Sequence, residues 1–196
     1  MRAIQVVAIA AWLLGCRSDA RETEQRGAGG PAARPPSAAP SATPTGAPVL
    51  VFIPQAEAAD CGAAAIAMTL NYYGHPSTRE SAKAALHLEP DGTSALELTR
   101  VAEANGLGVA GVSVDADTGL PVFTAGDILW FDFHHFVVFE ALVADDVLFI
   151  DPAAGRVALG RAAFRTHYAG VALLFERSPQ ALELRKRSIG LSSRAP

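Results

Sequence analysis

At 196 residues the chain fits one domain of ordinary size, because single domains usually hold roughly 100 to 200 residues. Hydrophobic residues make up 50% of it and charged residues 18%, which excludes a wholly disordered protein. A net charge of -4 supplies no basic field for a phosphate backbone, which excludes nucleic acid as a partner.

Met1 and Arg2 form a short positive start, and Ala3 to Leu14 form an uncharged, mostly apolar run. The run is shorter than the roughly 20 residues that cross a bilayer core, so residues 1–15 read as a signal peptide. Its end, Leu13-Leu14-Gly15-Cys16, resembles the lipobox of bacterial lipoproteins, which implies a lipid on Cys16 and attachment to the bacterial envelope membrane. Arg17 rather than Asp after that cysteine is compatible with an outer-membrane anchor facing the periplasm. The alternative is an ordinary signal peptide, or an uncleaved anchor, that happens to contain a cysteine. Residues 16–48, which include AGGPAARPPSAAPSATPTGAP over 28–48, lack hydrophobic periodicity and read as a disordered tether.

The working domain is expected over residues 49–176. Val49 to Ile53 reads as a short strand, the first of the chain. Cys61 to Tyr73 is apolar on nearly every face and closed by Gly74, which predicts a buried helix with a left-handed cap. Ser77 with Glu80, and Ser94 with Glu97, have capping-box spacing and open two more helices, ending near Leu86 and Asn105. From Gly106 the pattern turns extended: Val109 to Val114, Asp127 to Phe131, His135 to Val143, Val147 to Asp151 and Val171 to Phe175 read as strands. Helices followed by an antiparallel sheet indicate an α+β fold. Residues 177–196, with Arg185, Lys186 and Arg187, read as a solvated basic tail. No GxxxxGK[ST] pattern is present to hold a nucleotide, and His75, His87 and His167 show no metal-ligand spacing, so neither a cofactor nor a metal is expected.

Only two cysteines are present, and a lipid on Cys16 leaves Cys61 without a disulfide partner in the chain. In an oxidising compartment such a thiol is either a small buried hydrophobe or a reactive group. A helix start at Cys61 directs backbone N–H groups and the positive dipole end at the sulfur, which favours the thiolate. Gly62 would leave room for a substrate backbone.

The segment PQAEAADCGAAAIAMTLNYYG from Pro54 to Gly74, HFVVF from His135 and IDPAAG from Ile150 together resemble the bacteriocin-processing cysteine peptidases. These are papain-like enzymes that remove double-glycine leader peptides. The resemblance implies a papain-like fold and thiol-dependent peptide hydrolysis, with Cys61 as nucleophile and His135 as general base and acid. It further implies Asp151 as the residue orienting the imidazole and Gln55 as the oxyanion donor. The chemistry needs these types: an imidazole to carry the proton, a carboxylate to fix its tautomer and an amide N–H to meet developing negative charge. The partner would be a peptide or protein substrate. In that family the peptidase usually precedes membrane and ATP-binding parts; this chain carries neither, and its signal places it outside the cytosol. A papain-like hydrolase of cell-wall peptides and a noncatalytic peptide-binding module are the rival readings.

Two geometric points stay open at this level. His134 competes with His135, because neighbouring side chains on a strand face opposite ways; the PheValVal that follows matches the family when His135 is chosen. A two-residue turn at Asp145 and Asp146 would set Asp151 opposite Glu140, roughly 17 Å from His135. A longer loop centred near Val143 would set the two side by side, and the family's sixteen-residue spacing favours that loop.

Overall fold

A helix apolar on every side has to be buried, and the structure, a computed structural model that describes residues 5–6, 48–87 and 92–190, buries this one. Helix α1 (Cys61–Tyr72) has no exposure at any residue from Ala63 to Met68. Its alanines let it lie close between helices α2 (Arg79–Ala85) and α3 (Ala95–Ala104) and the sheet. Gly74, at φ 92, ends it in the left-handed region that glycine enters without steric cost. Ser94 caps α3 as expected, its side chain accepting the Glu97 N–H. The cap of α2 is Thr78 with Ser81, one residue on from the expected Ser77 and Glu80; Ser77 is held back by its N–H bond to the Asn71 side chain.

The sheet is antiparallel throughout, in the order β1-β2-β7-β3-β4-β5-β6. Its strands are β1 (Gln5–Val6), β2 (Gly108–Ser113), β3 (Ile128–Phe131), β4 (His135–Val143), β5 (Asp146–Asp151), β6 (Gly155–Gly160) and β7 (Tyr168–Glu176). One core joins α1 to α3 with Phe136, Val138, Ile150 and Phe175. The other gathers Val137, Phe139, Phe149, Phe164 and Leu174. The alternation of odd and even positions between these two cores is the period-two signature of a strand covered on both faces. The helices segregated from an antiparallel sheet make this the α+β, papain-like arrangement expected.

Several expectations need correction. Residues 49–53 form no strand: Leu50 is buried, but its carbonyl meets only the Arg156 side chain, a single contact where a ladder would be needed. A two-residue strand does precede Val49, since Gln5 and Val6 pair with the otherwise open edge of β2. Strand β6 and the short helices α4 (Ala116–Gly119) and α5 (Arg161–His167) were not anticipated. β6 is an edge strand with half its residues exposed and glycine at both ends, a weak hydrophobic signal. The stretch after Glu176 is not a solvated tail. It forms helix α6 (Pro179–Ser188), which buries Leu182 and Arg185. Cys16 and the tether from 16 to 47 lie outside the described residues. No helix among the described residues is long and apolar enough to cross a membrane.

The β4–β5 hairpin corrects the loop expectation as well. Val143 pairs with Asp146, so the connection is the tight two-residue turn Ala144-Asp145, with Ala144 at φ 53. In that register Asp151 would sit opposite Val138, on the face away from His135. A β-bulge between Phe139 and Ala141 leaves Glu140 unpaired and moves every later pair by one, Phe139 facing Phe149 and Val138 facing Ile150. Asp151 thereby comes opposite Val137, on the face of His135 and within diagonal reach of it.

Candidate active site

Three segments converge at one end of the sheet. Cys61 opens α1 and is 1% exposed. His135 opens β4, directly after the turn Asp132-Phe133-His134, in which Asp132 (φ 50) and Phe133 (φ 61) take left-handed conformations. Asp151 ends β5. His135 Nε2 lies 2.8 Å from Asp151 Oδ1, and that oxygen also accepts the Ala153 N–H at 2.7 Å. His134 points elsewhere, its Nδ1 lying 2.7 Å from the Asp132 carbonyl oxygen. Of the two histidines, His135 is the one in contact with Asp151.

Charge at the site follows from these contacts. Burial alone would lower the pKa of His135, but hydrogen bonds to Asp151 and Cys61 and the charges of both raise it to about 9. Burial pushes Asp151 up, yet the hydrogen bonds from His135 and the Ala153 N–H outweigh it and hold the carboxyl below its ordinary range. Both Asp151 and Cys61 thus favour the protonated form of His135. Asp60, buried just before Cys61, has its carboxylate engaged by Lys83 Nζ at 2.6 Å, with Arg79 Nε at 4.0 Å. That pairing raises the pKa of Lys83 and neutralises the buried carboxylate.

Gln55 is brought to the same place by its main chain: its N–H donates to the Pro152 carbonyl at 3.0 Å, which fastens it to the turn after Asp151. Its side-chain Oε1 is buried without a hydrogen-bond partner among the described residues. All four residues expected from the sequence are thus in one region of the fold. Among the described residues no group of three His, Cys, Asp or Glu side chains is arranged to hold a metal.

Gly62 does not serve as anticipated. A Cβ there would lie 2.2 Å from Thr93 Cγ2, so the missing side chain admits Thr93 rather than a substrate. Beyond Thr93 runs an apolar groove of about 530 Å³, open solvent included, lined by Ile128, Trp130, Phe133, Phe136 and Val171 among others. Trp130 and Phe136 pack at a centroid distance of 4.4 Å along it, while Phe133 stands 66% exposed at its rim. Sequence reading missed this groove, because its residues come from the start of α3, from β3, β4 and the turn between them, and from β7, and share no local pattern.

Similarity to known proteins agrees with this architecture. The profile of the peptidase C39 family matches residues 50–180. A probable microcin-H47 secretion/processing ATP-binding protein of Escherichia coli is 31% identical over 121 residues, which cover 62% of this chain and 17% of that protein. A transport/processing ATP-binding protein of Streptococcus pneumoniae is 31% identical over 159 residues, covering 73% of this chain and 21% of its own. The chain thus spans about a fifth of the length of these relatives. A crystallised double glycine motif protease from an AMS/PCAT transporter, in complex with its leader peptide, superposes with a TM-score of 0.63 at 29% identity, covering 67% of this chain and 94% of that one. The peptidase domain of a Streptococcus bifunctional ABC transporter shares the fold, with a TM-score of 0.60 at 19% identity over 65% of this chain and 98% of that one. With well over half of its residues matched by the family profile, this chain belongs to the peptidase C39 family.

Proposed function

We propose that this chain is a cysteine peptidase that cleaves leader peptides after a pair of small residues such as Gly-Gly, using Cys61, His135, Asp151 and Gln55. The observation that carries the reading is the contact of His135 with both Asp151 and Cys61. Cys61 as thiolate attacks the scissile carbonyl, and negative charge develops on its oxygen. The Gln55 side-chain amide and the Cys61 main-chain N–H donate to that oxygen. His135, already protonated, gives its proton to the leaving amine, and the C–N bond breaks to leave an acyl-enzyme. Water then attacks, giving up a proton to His135 and releasing the thiolate. Asp151 holds the imidazole in the orientation both steps need.

A thiol only 1% exposed supports glycine at the cleavage site, since a residue without a side chain best enters so narrow an approach. The relatives that process secreted peptides, and the leader peptide bound to the double glycine motif protease, support the substrate class. Mass spectrometry of a synthetic peptide containing one Gly-Gly, incubated with the purified protein, is expected to show a single cut after the second glycine. Cleavage of peptidoglycan stem peptides with the Gly-Gly peptide left intact would transfer the reading to cell-wall hydrolysis.

The proposal extends to location. Residues 1–15 would be removed, Cys16 would carry lipid, and residues 16–48 would tether the domain of residues 49 onward to the envelope membrane, at the periplasmic face of the outer membrane; the Leu-Leu-Gly-Cys end of the apolar run supports this. Intact-mass measurement of the protein extracted from membranes should then give a mature chain starting at a diacylated Cys16, and an unmodified cysteine there would remove the anchor.

A further inference from the structure

We propose that Thr93 is a substrate-binding residue whose hydroxyl hydrogen-bonds the main chain of the peptide residue seated beside Cys61. The proposal rests on the peptidase reading above and adds to it a recognition group outside the four residues already named.

Thr93 lines the apolar groove and packs against Gly62, the residue that follows the nucleophile. Its methyl group occupies the space that a side chain at position 62 would take. The residue is 5% exposed, and Oγ1 is buried with no hydrogen-bond partner among the described residues. Leaving a buried hydroxyl unpaired costs stability, and such groups are rare enough that each calls for an explanation. Neighbouring side chains offer none. Ile128, Trp130 and Phe136 are the groove walls around it, and Ser94 is engaged in capping α3 through the Glu97 N–H at 3.2 Å. An extended peptide laid along the groove toward Cys61 brings main-chain N–H and C=O groups past this position, and a hydroxyl can donate to one or accept from the other. Glycine residues there would leave the peptide backbone bare to such a contact. The site would therefore recognise a small-residue pair by its main chain, complementing the apolar walls that take the larger residues before it.

The test compares Thr93→Val, which keeps the shape and removes the hydroxyl, with Thr93→Ser, which keeps the hydroxyl. Three measurements are made on the full chain: kcat/KM on a fluorogenic peptide containing Gly-Gly, the rate of Cys61 alkylation by iodoacetamide, and the melting temperature. Thr93→Val is expected to lose about 3- to 10-fold in kcat/KM, the effect of one neutral hydrogen bond. It should be alkylated at the wild-type rate and melt no lower than wild type, because an unpaired polar group has been removed. Thr93→Ser should recover most of the lost kcat/KM. Wild-type kcat/KM in Thr93→Val, an equal loss in both variants, or a lowered melting temperature in Thr93→Val would each overturn the proposal. A wild-type protein that reacts with iodoacetamide but leaves the peptide uncut would instead overturn the peptidase reading, and this one with it.

Discussion

Replacing Cys61 with alanine is expected to lower the rate of Gly-Gly peptide cleavage by about ten-thousandfold or more, because the covalent step disappears and the remaining groups act only as a unit with it. Product formation at the wild-type rate would end the assignment. The same variant should change the titration of His135, which the Cys61 hydrogen bond and charge help to raise to about 9. Followed by the imidazole proton resonances, His135 should lose its proton at lower pH in Cys61→Ala than in the wild type. The sign for stability follows. The folded chain holds the His135 proton more tightly than an unfolded one titrating near 6.5, so this contribution is complete below about pH 6.5 and disappears as pH rises through about 9. Between those values the wild-type melting temperature should fall more steeply than that of Cys61→Ala.

Replacing Arg185 with alanine is expected to cost about 3–5 kcal/mol of stability, the range for removing one partner of a buried ion pair. Both guanidinium nitrogens of Arg185 meet the two carboxylate oxygens of Asp127, which has no solvent exposure. Arg185 also donates to the carbonyls of Val122 and Phe175, at 2.8 and 3.1 Å. Asp127 stands just before β3, and its carboxylate accepts the Phe175 N–H from β7, so the loss would be felt where two central strands meet. Urea denaturation measures the effect. The double variant Asp127→Asn, Arg185→Met should recover part of it, because no uncompensated charge is then left inside. A midpoint unmoved in Arg185→Ala would show that the Arg185–Asp127 pair contributes nothing to the stability of the domain.

The interior helix and the core strands could be read from the chain because their hydrophobic patterns are local and long. Cys61 to Tyr72 is apolar all round, and β4 runs over His135–Val143 as expected. Cys61, His135, Asp151 and Gln55 were also legible, through segments that together resemble one family. What escaped was carried by partners distant in sequence. Arg185 looks like one charge in a solvated run, and nothing near it shows that its ion-pair partner is the buried Asp127, 58 residues earlier. Thr93 reads as the residue before a helix cap; its position against Gly62 depends on how α1 and α3 pack. The hairpin was misjudged for a related reason: turn composition sets a register locally, and a bulge farther along changes it.

That bulge makes the hairpin sensitive to the parity of its length. Gaining one residue between Glu140 and Asp151 would turn the carboxylate to the opposite face while the strands still paired and the turn still closed, whereas losing the unpaired Glu140 would remove the bulge and leave the same pairs. Two residues added or lost together would keep the facing and shift Asp151 along the strand instead. Insertions between Glu140 and Asp151 therefore divide into even steps, which preserve which core each side chain enters, and odd steps, which exchange a buried phenylalanine or isoleucine for the residue that holds His135. Selection on the hairpin acts on a count as well as on residue identities, and a comparison of residues alone would pass over it.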